Sequence, residues 1–97
     1  MVSIHARQVT NFMYIHIGRD YIVPLRTVVS IFDMDTATVS GRTRRLLERL
    51  TEEGRVIDLC DDLPKSAVLC MGEVGEILYI SQISSRTLQK RAEDGIR

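Results

Sequence analysis

The stretch Met-Tyr-Ile-His-Ile-Gly-Arg-Asp-Tyr-Ile-Val-Pro, residues 13–24, sets the reading of the whole chain. Ile15 and Ile17 alternate with Tyr14 and His16, the two-residue period that turns one face of a strand to a core and the other outward. Gly18 supplies backbone freedom for a turn, and Arg19 and Asp20 supply its polar residues. Ile22 and Val23 resume the apolar run, and Pro24, which has no N–H, keeps that strand from continuing as a central one. A β-hairpin therefore opens the folded region, here taken as one domain over residues 13–97. Residues 1–12 read as an N-terminal extension. They are either extra upstream residues or a short added strand around Ser3-Ile4 or Val9.

Beyond the hairpin, residues 28–33 form a third strand. Val39, Thr43, Leu46, Leu47 and Leu50 then follow i, i+4, i+7, i+8, i+11, the apolar stripe of an amphipathic helix over about residues 39–53. Thr38 or Ser40 can cap its start, and Gly54 can take the left-handed conformation that stops it. Leu47 is expected at the centre of the buried stripe. Residues 55–59 read as a strand and 61–64 as a turn. Residues 66–71 are the continuous apolar run of a central strand buried on both faces. Gly72 and Gly75 flank a turn into the last strand, residues 76–81. Ser84 caps a second helix running to about residue 93, with Ile83 and Leu88 as core contacts. The order βββ-α-βββ-α is α+β with a small, mostly antiparallel sheet.

Ninety-seven residues with 44% hydrophobic but no Trp bound the core to Ile, Leu and Val. No run is long and apolar enough to span a bilayer, and His5, Arg7 and Gln8 interrupt any signal-peptide core, so a cytoplasmic location is expected. Cys60 and Cys70, separated by nine residues, fit buried reduced thiols better than a zinc site, since no Cys-x-x-Cys pair or neighbouring His accompanies them.

Catalytic supply is poor. His16 lacks a sequence-evident acid–base partner, and helix capping accounts for Ser84 and Ser85. Asp61-Asp62 is a two-carboxylate turn without further oxygen ligands. The glycines at 72 and 75 lack the Lys-Ser/Thr of a phosphate loop. The expectation is a protein that is not an enzyme, with no metal, cofactor, small-molecule substrate or membrane partner.

Formal net charge is zero, but it is unevenly spread. Residues 42–49 hold Arg42, Arg44, Arg45 and Arg49 against Glu48, a sum of +3, whereas residues 51–62 hold five acids against Arg55, a sum of −4. At 100° per residue Arg42, Arg45 and Arg49 share one helical stripe that can follow successive phosphates. The competing reading is a solvated face balanced by Glu48, Glu52 and Glu53 at spacings of three or four. On the opening strand, Tyr14 and His16 suit a subunit contact better than a purely solvated face, because Tyr joins apolar area to a hydrogen-bonding tip.

The opening hairpin, the Val-Val-Ser-Ile-Phe-Asp of residues 28–33, the Pro-Lys-Ser of residues 64–66 and the Ser-Ser-Arg-Thr-Leu-Gln-Lys-Arg of residues 84–91 together resemble the RemA/RemB family of small bacterial extracellular-matrix regulators, in its RemB-like branch. That resemblance implies a LytTR-like fold and a non-enzymatic regulator of matrix, biofilm or developmental gene transcription. It also implies assembly into a homo-oligomer, as a ring, and contact with double-stranded DNA. In the RemA-like branch a basic residue follows the second strand and an arginine-rich loop precedes the strand that here begins at Ser66. This chain has Arg26 beside the first place, with Thr27 at the aligned position, and Asp61-Asp62-Leu63-Pro64-Lys65 at the second. DNA contact is therefore expected from Arg19, Arg26 and Lys65, with Arg42, Arg45 and Arg49 as an alternative surface. The rival expectation is a self-assembling interaction module that does not touch DNA.

Overall fold

The computed structural model describes residues 2–3, 13–34 and 40–94. It begins with a two-residue strand, β1 (Val2–Ser3), followed by the expected hairpin of β2 (Tyr14–Gly18) and β3 (Tyr21–Pro24). A 3-10 turn, Leu25–Thr27, leads into β4 (Val28–Asp33). The amphipathic helix is α1 (Gly41–Glu52), and the remaining elements are β5 (Val56–Asp58), β6 (Ser66–Gly72), β7 (Gly75–Ser81) and α2 (Ser85–Asp94). Ser40 is the N-cap of α1, its Oγ accepting from Thr43 N at 3.1 Å. Thr38 and Val39 lie outside the described residues. Ser84 caps α2 in the same way through Thr87 N, also at 3.1 Å. Past α1, Gly54 takes φ +70°, the left-handed stop read from the sequence.

The strands do not form one sheet. Five of them run in the order β1-β4-β6-β7-β5, and the β2–β3 hairpin stands apart as a second, two-stranded sheet. All pairings are antiparallel except β5 with β7, which is parallel. The strand at Val2–Ser3 pairs with Ile31 and Ser30 on the edge of β4. The strand β6 is central, as its apolar run implies, and its side chains alternate between two cores.

Val68 and Cys70 face a cluster built with Ile15, Ile17, Val23, Leu25 and Val28, to which α2 adds Leu88 and Ala92. Ala67 and Leu69 face a cluster with Phe32, Leu78 and, from α1, Leu50. The molecule is thus three layers: hairpin and α2, then the sheet, then α1. Leu50, not Leu47, is the fully buried residue of the helix stripe; Leu46 and Leu47 are only half-buried at its margins. A difference of three residues, nearly one helical turn, decides which residue carries the packing energy.

Candidate interaction surfaces

The hairpin register creates an exposed apolar face. Tyr14 lies opposite Pro24, Ile15 opposite Val23 and His16 opposite Ile22, but Gly18 is opposite Tyr21, so β2 carries one extra residue at Ile17. That bulge keeps both Ile15 and Ile17 fully buried while swinging Val23 inward and Ile22 outward. Gly18 makes it feasible: its φ is +147°, and a Cβ there would stand 3.4 Å from the Leu59 side chain. The outer face accordingly holds Tyr14 (41% exposed), half-buried His16, Ile22 (57% exposed) and Pro24. Tyr14 and His16 are where the sequence put them. Ile22 was missed, since a plain two-residue turn would have paired it with Ile17 and pointed it inward.

The edges of this hairpin are largely closed. On β2, Ser81 Oγ donates to the Ile17 carbonyl at 2.6 Å, and Arg91 Nη1 donates to the His16 carbonyl at 3.0 Å. On β3, Pro24 has no N–H and its carbonyl accepts from Thr27 Oγ1 at 2.7 Å. His16 is fixed as well. Its Nε2 hydrogen-bonds the Arg19 carbonyl, which can only accept, and Arg91 Nη1 stands 3.5 Å from Nδ1.

A second constellation lies at the hairpin turn. Arg19 sits there with φ +47°, a region sparsely used by non-glycine residues. Its Nε donates to the Leu59 carbonyl at 3.2 Å, and its Nη2 pairs with the Asp61 carboxylate across 42 positions of sequence. Asp61 is held from behind, its backbone N–H donating to Gln82 Oε1 at 2.8 Å. Lys65 is exposed at the same end: its N–H donates to the carbonyl of Ser81, the residue whose hydroxyl holds Ile17. The structure therefore brings Arg19, Asp61 and Lys65 to one end of the sheet.

Arg26 is elsewhere. It is exposed in the 3-10 turn that precedes the Val28–Cys70 pair, whereas Lys65 precedes the Ser66–Asp33 pair, so the two cations mark opposite ends of the β4–β6 ladder. The helix arginines lie on the far layer. Arg42 and Arg45 are exposed near the start of α1, but Arg49 is engaged by Glu76 at 3.0 Å and by Glu53 at 3.4 Å. Those hydrogen bonds, Glu76 first, hold the Arg49 guanidinium still more firmly protonated. The balancing of this stripe by carboxylates, which spacing suggested, thus holds for Arg49, with Glu76 as a partner no local spacing could reveal.

Both cysteines are free thiols. Cys70 is buried, and that burial pushes its thiol up to about 11 against a weaker opposing hydrogen bond from Thr27. Cys60 is half-buried rather than buried, and is also raised, first by desolvation and then by Asp58. Among the described residues no group of three or more His, Cys, Asp or Glu is arranged to hold a metal, and no helix is long and apolar enough to cross a membrane.

Comparison with known proteins bears on these surfaces. The family described as RemA-like, extracellular matrix regulatory protein A-like, matches residues 14–92. The chain is also 36% identical over 81 residues to Extracellular matrix regulatory protein B of Bacillus subtilis (strain 168), an alignment covering 84% of this chain and 91% of that relative.

Proposed function

The chain belongs to the RemA-like family of extracellular matrix regulatory proteins, and from that premise we propose that it is a non-enzymatic cytoplasmic regulator of matrix-gene transcription that works as a homo-oligomer. The observation that carries the reading is the outer face of the β2–β3 hairpin. Tyr14, Ile22 and Pro24 form a contiguous apolar patch whose placement costs a β-bulge, and a second copy of the chain is the occupant it fits. Head-to-tail repetition of such a contact closes a ring. Light scattering behind a sizing column tests it. The wild-type mass is expected to be a multiple of 11.0 kDa, and Tyr14→Asp with Ile22→Asp to shift it toward one chain. These two positions are preferable to His16, whose ring also secures the turn. A wild-type mass of a single chain would end the reading.

In the assembled state, DNA phosphates are the proposed ligand of the Arg19–Lys65 end, repeated around the oligomer so that local cations add up despite a net charge of zero. The second reading is an interaction module that assembles without touching DNA. It is favoured by the engagement of Arg19 and Arg49 with carboxylates and by Asp61 and Asp62 in the loop before β6. A mobility shift on duplex DNA that weakens steeply with salt supports the first; normal assembly with no shift at low salt supports the second.

A further inference from the structure

We propose that Asp61 is an intramolecular stand-in for phosphate, occupying Arg19 and setting how strongly this end of the molecule holds DNA. The inference rests on the DNA reading above and adds its regulation. Arg19 extends from a turn residue in left-handed backbone conformation, and two bonds aim its guanidinium into the 59–65 loop: Nε to the Leu59 carbonyl and Nη2 to the Asp61 carboxylate. A carboxylate and a phosphate make the same charge-assisted contact with a guanidinium, so the two compete for it. Asp61 is well placed to compete because Gln82 holds its backbone N–H independently of the ion pair. The pair is also reversible. Both side chains remain largely solvent-exposed, 51% and 77%, and exposed ion pairs are weak enough to exchange. Asp62, by contrast, spends its carboxylate on its own neighbour, accepting from Leu63 N at 2.8 Å.

The competition has a signature beyond affinity. In the native protein each Arg19–phosphate contact frees an Asp61 carboxylate that recruits a counterion of its own, so the net release of ions on binding is reduced. Removing the carboxylate restores that release. The test measures anisotropy of a labelled mixed-sequence duplex across a KCl series for the 97-residue chain and for Asp61→Asn, Asp62→Asn, Arg19→Gln and each of the two Asn substitutions combined with Arg19→Gln. Urea melts confirm that each variant is folded, and Arg19→Asn, which also lacks the charge and tolerates the left-handed backbone, replaces Arg19→Gln if the latter is not.

The expected result is roughly two- to fivefold tighter binding by Asp61→Asn at low salt. The slope of log K against log salt should steepen by up to about 0.9. Both effects should vanish in the Arg19→Gln background, and Asp62→Asn should give a smaller change that is the same in either background. An Asp61 effect that persists without Arg19, or that Asp62→Asn reproduces, overturns the proposal while leaving DNA binding in place. No binding by any variant, with oligomer mass unchanged, overturns the proposal together with the DNA reading.

Discussion

The two faces of the five-stranded sheet are covered to very different depths. On the hairpin side Ile15, Ile17, Val28, Val68 and Leu88 are all completely buried, contributed by one strand of a separate sheet, two strands of the main one and a helix. On the other side α1 works alone: Leu50, Ala67 and Leu78 reach zero exposure, while Leu46, Leu47, Val56 and Ile80 stay half-open. The apolar stripes written into the sequence for the two sides look alike. Depth of burial depends on how many elements close over a residue, not on the stripe it belongs to, because a side chain at the margin of a single helix keeps water on one flank.

The largest expected effect is at the well-covered face. Ile15→Ala should cost about 3–5 kcal/mol in urea melts, since Ile15 is fully buried in a cluster to which both sheets and α2 contribute. A cost no greater than that of Leu47→Ala would break the contrast between the faces. Next in size is alkaline pH, which acts chiefly on the hairpin side because Cys70 belongs to that cluster. An unfolded thiol begins to ionise near 9, while the folded Cys70 keeps its proton up to about 11. The unfolded chain therefore gains stability first. Stability should be whole below about pH 9 and fall between about pH 9 and pH 11, by about 3 kcal/mol at most from this residue. Cys60 and Tyr79, also raised, add to it in the same direction. Comparing urea midpoints at about pH 8 and about pH 10.5, with reductant, checks the decline, and Cys70→Ala should make it smaller, leaving the share of Cys60 and Tyr79. The smallest effect is Leu47→Ala, at about 1 kcal/mol, because the leucine is only half-buried. A loss as large as that of Ile15→Ala would mean that α1 seals its face more completely than Leu47's exposure indicates.

Much of this architecture was legible beforehand, because it rests on rules that act within a few residues. The alternation at residues 14–17, the stripe from Thr43 to Leu50, the serine caps, the glycine after α1 and the unbroken apolar run of β6 each follow from backbone geometry and nearest neighbours. Among the interface candidates Tyr14 and His16 were legible for the same reason: period-two alternation put them opposite Ile15 and Ile17.

The features that make the candidate surfaces what they are come from distant contacts. The bulge at Ile17 exists because both isoleucines are buried while Gly18 fits tightly against Leu59; it is what turned Ile22 outward. The pairing of Arg19 with Asp61 joins residues 42 positions apart, and the parallel placement of β5 beside β7 brings Leu59 and Asp61 to that turn. Separation of Arg26 from Lys65 follows from strand direction: β4 and β6 are antiparallel, so the residues leading into them must stand at opposite ends. Local pattern fixes which face of an element is apolar. Register, bulges and ion pairs between remote segments are settled only when the layers close, because each lowers the energy of the packed whole and of no isolated piece.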